Sequence, residues 1–287
     1  MQPPANSHTI LDPESRAFYQ SAMRTLQQDD VPFLVGGAYS FSRYTGIERH
    51  TKDFDVFMRE EDAQRALGSL ARAGYRTELT FPHWLGKAFS GDSFVDVIYG
   101  SGNGVARVDD LWFKHSTESV VLDIPALLCP AEETIWSKAF VMERERYDGA
   151  DIAHLLRARA KELDWSRLLR RFGPHWRVLL SYLTLFGFVY PAERDFIPRW
   201  VMDRLIAELQ HESRIPPPEE KLCRGTLFSR AQYLVDIENW DYQDARLLMG
   251  SMSERDIQHW TAAIDSEPPT ELVRPTISEC PTPLRAS

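Results

Sequence analysis

The first half of the chain alternates short apolar segments with segments of helical periodicity. Between residues 60 and 73, Ala63, Ala66, Leu67 and Leu70 recur at helical spacing. Short runs rich in β-branched and aromatic residues indicate strands, and glycine-containing turns separate them. The pattern predicts helices at 13–28, 38–44 and 60–73, and strands at 31–35, 53–58, 76–81, 88–90, 94–99 and 119–122. The first half is therefore expected to be α/β.

The second half has helical periodicity and no strand signal of similar quality. Its longest apolar run, 178–190, is shorter than the roughly 20 residues that span a bilayer, and we expect it to be a buried helix. The prolines at 216–218 indicate a loop, and after Asp265 a Pro/Ser/Thr-rich composition indicates a frayed tail. The helices are predicted at 130–144, 150–160, 165–172, 175–186 and 197–209. Together the halves predict an α/β (α+β) fold with a C-terminal helical region.

Composition and charge narrow the functional classes. The chain has 42 acidic and 33 basic residues, so its net charge of −9 disfavours non-specific binding to nucleic acid. Three distant cysteines fit neither a disulfide framework nor a zinc motif, which favours a reducing compartment. Met1 to His8 lack the features of a signal peptide. We therefore expect a cytoplasmic protein with no membrane partner.

Two carboxylates in a predicted strand carry the strongest chemical signal. Alternate side chains of a strand point to the same face, so Asp53 and Asp55 project together while Phe54 and Val56 face the core. Two carboxylates in one small region repel each other unless a proton or a cation lies between them. Oxygen ligands of high charge suit Mg²⁺, which commonly binds a few carboxylates together with substrate phosphates. The pair therefore predicts a metal site for a nucleotide.

Two further features agree with this interpretation. Asp96 is the one acid in the apolar run 94–98, and a buried strand rarely carries an ionised side chain without a function or a partner. Gly36 and Gly37 lie between a strand and a helix, where the backbone can approach a phosphate and unpaired N–H groups are offered. Ser40 could add a hydroxyl to that site.

The combination of Gly36-Gly37, Asp53-x-Asp55 and Asp96 resembles the signature of the nucleotidyltransferase superfamily of the polymerase-beta type. This resemblance implies a mixed sheet flanked by helices. It also implies that the glycine pair holds the triphosphate and that the Asp-x-Asp pair ligates two Mg²⁺ ions, with Mn²⁺ as an alternative. Asp96 would complete the metal site and activate the attacking hydroxyl.

Residues 49–55 more closely resemble a bacterial branch that includes abortive-infection toxins, antibiotic adenylyltransferases and uncharacterised members. The longer separation of Gly37 from Asp53, fifteen residues, fits the toxin-like members. Lys138, followed by Arg144, Arg146, Asp148 and Asp151, is similar to the residues that close the site in this branch. The resemblance covers about residues 30 to 157, and it makes Arg49 and Lys138 candidate nucleotide ligands.

Each candidate also has a structural alternative. Asp53 and Asp55 could form salt bridges with Lys52 or Arg49, and Asp96 could belong to a buried ion pair. The glycine pair could be an ordinary turn, and Lys138 could face solvent. The sequence gives no reason to include in the site the residues between two predicted strands, namely His83, Trp84 and Lys87.

The hypothesis that follows is a Mg²⁺-dependent nucleotidyltransferase that moves AMP from ATP to an unidentified hydroxyl or phosphate acceptor. Its alternative is a non-catalytic nucleotide-binding or regulatory module of the same fold, or a toxin–antitoxin component with a protein partner. We expect a catalytic domain at 1–129, a helical domain at 130–265 that completes the site and binds the acceptor, and a disordered tail at 266–287. The aromatic and acidic stretch 224–246 could build the acceptor pocket or pack as helices.

Overall fold

A computed structural model describes residues 11–48, 53–266 and the strand pair 276–277. Within these residues a central mixed sheet is flanked by helices, as the sequence predicts. The strands, in chain order, are β1 (Leu34–Val35), β2 (Ile47–Glu48), β3 (Asp53–Phe57), β4 (Arg76–Phe81), β5 (Leu85–Ser90), β6 (Ser93–Ile98), β7 (Thr117–Val121), β8 (Ile124–Leu128), β9 (Leu222–Cys223), β10 (Gln243–Asp244) and β11 (Thr276–Ile277).

Helices cover the sheet and form most of the second half. They are α1 (Pro13–Gln28), α2 (Gly37–Thr45), α3 (Glu60–Arg72), α4 (Asp110–Lys114), α5 (Ala131–Lys138), α6 (Gly149–Arg159), α7 (Trp165–Phe172), α8 (Trp176–Val189), α9 (Arg199–Glu212), α10 (Leu234–Asn239), α11 (Ala245–Leu248) and α12 (Glu254–Ala262). Single turns of 3₁₀-helix occur at 173–175, 191–196, 225–227 and 263–266. Among the described helices, none is long and apolar enough to cross a membrane.

The main sheet has seven strands in the order β4-β5-β6-β3-β1-β8-β7. Strands β3 and β6 run parallel at its centre, whereas β1 pairs antiparallel to β3 and parallel to β8. The expected alternation along β3 is confirmed, because Phe54 and Val56 are buried in the core against α1 and α3. The ring of Phe54 stacks on Tyr19 with 5.1 Å between centroids. Asp53 and Asp55 therefore point to the opposite face, which the helical region covers.

A buried ionic cluster ties the helices α5 and α7 to the start of α4. Glu133 on α5 is fully buried and accepts hydrogen bonds from Arg167 at 2.8 Å and Arg171 at 3.0 Å. Arg171 also binds Asp109 through two hydrogen bonds, and Asp109 caps α4 by accepting from the amide of Leu111. The cluster fixes α5, the helix whose last residue is Lys138, against the rest of the helical region.

Three predictions about elements were wrong in detail. Strand β8 was not expected, because the two residues before it, Leu122 and Asp123, turn with positive φ angles and contain no glycine signal. The helix predicted at 130–144 ends at Lys138, and the chain then forms an irregular loop up to Gly149. The run 178–190 is a helix, but Phe188 is 82% exposed, so only one face of it is buried.

The predicted tail falls largely outside the described residues. Two of its residues, Thr276 and Ile277, form β11 and pair antiparallel with β2. The stretch 224–246 contains the short elements α10 and β10 and the beginning of α11, and strand β10 pairs in parallel with β9.

Candidate active site

The three predicted carboxylates converge on the face of the sheet that the helical region covers. Asp55 on β3 and Asp96 on β6 are direct partners in the parallel register, and Asp53 lies two residues before Asp55 on the same face. One carboxylate oxygen from each of the three residues lies within 4.8 Å of the other two. Each side chain is half-buried. The parallel pairing of β3 with β6 is thus what joins residues more than 40 positions apart in the sequence.

The glycine turn lies directly against this cluster. The amide of Gly36 donates to the carbonyl oxygen of Asp55 at 3.0 Å, and α2 begins at Gly37. Gly37 has a φ of +53°, and a Cβ atom at this position would overlap Oδ2 of Asp55. A side chain at Gly36 would meet the ring of Phe57 and Sγ of Cys129. Both glycines are therefore required by close packing, and Gly37 is required by the position of the carboxylate itself.

The electrostatics of the cluster favour a bound cation or proton. Burial raises the pKa of Asp55 well above its ordinary value, and the charges of Asp53 and Asp96 raise it further. Burial also raises the pKa of Asp96, to about 6, although Lys87 opposes the shift. The ionised carboxylates are thus destabilised by their position, and a divalent cation among them would relieve the repulsion.

Lys87 on β5 is a site residue that sequence reasoning missed. Its ammonium Nζ lies 2.7 Å from Oδ1 of Asp96 and 4.1 Å from the ring centroid of Phe94. Lys87 and Asp96 are register partners in the antiparallel β5–β6 hairpin, whose turn is at Gly91-Asp92. Counting outward from that predicted turn would have placed the two residues opposite each other. The predicted strand began at Ala88, however, so the pairing was not considered.

Lys138 lies at the end of α5 beside the cluster, and it does not face solvent. Its Nζ atom lies 2.9 Å from Asp148 and 2.8 Å from Asp151. Burial lowers the pKa of Lys138, but these two carboxylates outweigh that effect and hold the pKa raised. The positive charges of Lys138 and Arg146 in turn lower the pKa of Asp55. The loop 139–148, where α5 was predicted to continue, brings Arg146 and Asp148 to this position.

The other candidate nucleotide ligands are less directly placed. Ser40 is fully buried, and its hydroxyl donates to the carbonyl oxygen of Gly37 at 3.3 Å within the first turn of α2. Arg49 lies outside the described residues. His83, which sequence reasoning left out, contacts the carbonyl of Gly102 and not the carboxylates.

The donor set fits a divalent metal. Three carboxylates on two neighbouring strands offer only oxygen ligands, which suit Mg²⁺ or Mn²⁺ in preference to softer ions. Asp53, Asp55 and Asp96 are the residues that could hold such an ion, and Gly36 and Gly37 lie beside them. The site could therefore bind a metal together with the phosphates of a nucleotide.

Comparisons with known proteins give structural neighbours only. No family model matches the chain, and no curated protein matches it. Among solved structures, the antibiotic-resistance factor ANT(2'')-Ia in solution is 13% identical, with a TM-score of 0.40 over 71% of this chain and 98% of its own. A crystal structure of ANT(2'')-Ia with adenylyl-2''-tobramycin is 14% identical, with a TM-score of 0.39 over 62% and 99%. The lincosamide antibiotic adenylyltransferase LnuA, with lincomycin bound, is 17% identical, with a TM-score of 0.35 over 50% and 95%.

Proposed function

We propose that the chain is a metal-dependent nucleotidyltransferase that moves AMP from ATP to a hydroxyl or phosphate acceptor, with release of pyrophosphate. The observation that carries the proposal is the convergence of Asp53, Asp55 and Asp96 against the glycine turn at the start of α2. Mg²⁺, when bound, would neutralise the triphosphate and lower the pKa of the attacking hydroxyl. The sequence resemblance to nucleotidyltransferases supports the same reaction.

The residues divide the work of transfer between two sides of the cluster. Asp53 and Asp55 would hold the metal, while the amides at Gly36 and Gly37 would face the leaving pyrophosphate. The oxygen of the acceptor attacks the α-phosphorus as the bond to pyrophosphate breaks, and the proton of the hydroxyl passes to Asp96. A pKa of about 6 leaves Asp96 mostly ionised at pH 7 and able to accept that proton.

Lys138, Arg146 and Arg49 are proposed to act on the phosphates. Lys138 and Arg146 contribute positive charge next to Asp55, which supports a position near the triphosphate. Lys138 would act through its placement beside Asp148 and Asp151, because it bonds both carboxylates. Ser40 would support the turn and not contact the nucleotide through its hydroxyl, since that hydroxyl bonds Gly37. Arg49 keeps its assignment from the sequence resemblance.

We also propose that residues 1–129 form the catalytic domain and residues 130–265 a helical domain that completes the site. Support comes from Lys138 and Arg146, which lie in the second segment and act on Asp55 in the first. The buried thiols of Cys129 and Cys223, which form no disulfide, support the proposal of a cytoplasmic setting.

Calorimetry and label transfer test the enzyme directly. Mg²⁺ with each of the four NTPs should show selective binding of ATP, and ATP labelled at the α-phosphate should transfer its label to a component of a cell extract. The double variant Asp53→Asn with Asp55→Asn should lose both signals. A matched control, Asp195→Asn with Asp203→Asn, removes the same charge from two exposed positions. If the wild type neither bound an NTP nor transferred label, the proposal would fail.

A non-catalytic binding module is the second candidate, and one observation favours it. Lys87 already bonds Asp96, and Lys138 and Arg146 offset part of the charge on Asp55, so protein cations partly compensate the cluster. Such a module, including a toxin–antitoxin component, would keep its cellular effect in the Asp53→Asn/Asp55→Asn variant. An enzyme would lose the effect. Expression of wild type and variant in the same host, followed by growth, separates the two.

A further inference from the structure

A small cavity opens beside the carboxylate cluster, between the loop after β6 and the helical region. Its volume is about 100 Å³, and aromatic side chains form much of its wall. Phe140 follows α5, Phe228 follows the turn at 225–227, and Trp260 lies on α12. We call it the Trp260 pocket. Sequence reasoning had considered the stretch 224–246 for an acceptor pocket, and Phe228 and Arg230 are its contribution here.

The walls of the Trp260 pocket are fixed by close packing. The indole of Trp260 lies so near Gly102 that a Cβ atom there would overlap the ring. Phe140 stacks on Phe228 with 5.9 Å between centroids and an interplanar angle of 21°. The shape of the pocket is therefore set before any ligand enters, which lowers the entropic cost of binding.

The ionic side chains at the pocket are largely engaged with each other. Glu143 accepts from the hydroxyl of Ser229 at 2.6 Å and from both the amide and Nε of Arg230 at 3.0 Å. The guanidinium of Arg230 lies 5.5 Å from the ring centroid of Trp260. Because these groups satisfy one another, the pocket selects its occupant mainly by shape and by contact with aromatic rings.

The pocket communicates with the carboxylate cluster through two lining residues. Arg146 lines it, lies 3.4 Å from Asp148, and lowers the pKa of both Asp55 and Asp96 by its charge. Ser137 also lines it and precedes Lys138. A molecule in the Trp260 pocket would therefore extend past Arg146 towards the reacting phosphorus.

The position of the pocket assigns it to one side of the reaction. An in-line displacement puts the attacking oxygen and the leaving pyrophosphate on opposite sides of the phosphorus. The glycine turn, proposed for the pyrophosphate, follows β1 on one side of β3, whereas the pocket loop follows β6 on the other. Asp96, the proposed proton acceptor, is on β6. The pocket thus lies on the side from which the acceptor hydroxyl would attack.

We propose that the Trp260 pocket binds the ring of a small-molecule acceptor, a single six-membered sugar or aromatic ring that carries the hydroxyl to be modified. An apolar cavity of roughly 150 Å³ admits a benzene ring, so this volume with an open mouth suits one ring and not a folded macromolecule. The net charge of −9 further disfavours a nucleic acid as acceptor. This inference rests on the proposed nucleotidyl transfer and names its acceptor class.

The test separates acceptor binding from nucleotide binding. Wild type, Trp260→Ala and a control, Trp200→Ala at a half-exposed position on α9, are first titrated with MgATP by calorimetry. Each is then given ATP labelled at the α-phosphate, together with either the fraction of a cell extract below 1 kDa or the retained macromolecules. Glucosamine, myo-inositol and tyramine serve as defined single-ring acceptors. Circular dichroism melts confirm that each variant is folded.

We expect label in a low-mass product, with the KM for that acceptor raised about tenfold or more in Trp260→Ala while its affinity for MgATP is unchanged. Trp200→Ala should behave as the wild type. Label in the macromolecular fraction, or in neither fraction while MgATP still binds, overturns the proposal. An equal loss of MgATP affinity in Trp260→Ala also overturns it, because the pocket would then hold the base of the nucleotide. If the wild type does not bind MgATP, the proposed transferase function itself fails.

If Trp260→Ala does not fold, Phe228→Leu gives the same information. Leucine keeps an apolar side chain in the wall and removes the ring face. The KM for the low-mass acceptor should again rise without a change in the affinity for MgATP. An unchanged KM in a folded Phe228→Leu variant would count against the pocket.

Discussion

Lys87 and Asp96 face each other across strands β5 and β6, with 2.7 Å between Nζ of the lysine and Oδ1 of the aspartate. Their side chains are only 21% and 13% exposed. The contact joins the carboxylate that we assign to proton transfer to a cation on the neighbouring strand. Lys87 is thus a positioning residue that sets both the orientation and the acidity of Asp96.

Replacing Lys87 by glutamine should raise the pKa of Asp96. The charge of Lys87 lowers this pKa against the effect of burial, so its removal leaves burial and the charge of Asp53 to act alone. Transfer at pH 6 should fall by roughly three- to tenfold, with little change at pH 8. A carbon-13 NMR titration of the Asp96 carboxyl checks the shift without the acceptor. Lys114→Gln, at an exposed position, is the control, and an unaltered midpoint in Lys87→Gln would refute the assignment.

Gly37→Ala should damage the metal site beyond its cost to the backbone. A left-handed φ costs a non-glycine residue about 1–2 kcal/mol, and this cost is shared by the control Gly91→Ala, where φ is +57° and no atom lies within 4 Å of the added Cβ. Only Gly37→Ala displaces Asp55. Urea unfolding should therefore show a larger loss of stability for Gly37→Ala than for Gly91→Ala, and calorimetry a Mg²⁺ affinity at least about tenfold weaker. Equal behaviour of the two variants would contradict this account of the turn.

Asp55→Asn should stabilise the metal-free protein at neutral pH. A carboxyl whose pKa is raised on folding binds more protons in the folded state, so its contribution to the free energy of unfolding decreases as the pH rises through and above the unfolded value near 3.8. The stability difference between variant and wild type should therefore be small at pH 4 and grow towards pH 8. Thermal melts in EDTA measure it. Added Mg²⁺ should stabilise only the wild type, and a difference independent of pH would argue against a raised pKa.

Glu133→Ala should destabilise the helical region strongly. The substitution leaves Arg167 and Arg171 without a buried partner, and breaking a buried ion pair from one side costs about 3–5 kcal/mol. Urea unfolding of Glu133→Ala against Glu118→Ala, at an exposed position, gives the difference. A loss below about 1 kcal/mol would mean that Asp109 and Glu132 replace Glu133 as partners.

The carboxylate cluster could be predicted because its signals are local. The period of two along a strand places Asp53 and Asp55 on one face, and an acid inside an apolar run marks Asp96. The pairing of β3 with β6 then brings them together, and it follows from the parallel α/β pattern of the first half. The glycine turn was visible for the same reason, since its residues adjoin one strand and one helix.

The remaining site residues depend on contacts that are distant in sequence. Lys87 is brought to Asp96 by the register of a hairpin, and Trp260 reaches Gly102 from a helix more than 150 residues away. Strand β8 was missed because its proline at 125 and the turn at 122–123 lack the usual hairpin signal. The early end of α5 has no sequence signal that we can identify, and it is what allows Arg146 to reach the site.

The location of the carboxylates on the two central strands of the sheet has a consequence for motion. Strands β3 and β6 each have hydrogen-bonded neighbours on both sides, so their amides should be among the last in the protein to exchange with deuterium. The loop 139–148 lacks such a ladder beyond a single bridge between Met142 and Tyr147. Hydrogen exchange should therefore show a rigid metal site approached by a faster-opening segment, so that entry and release of substrates would be governed by the helical side alone.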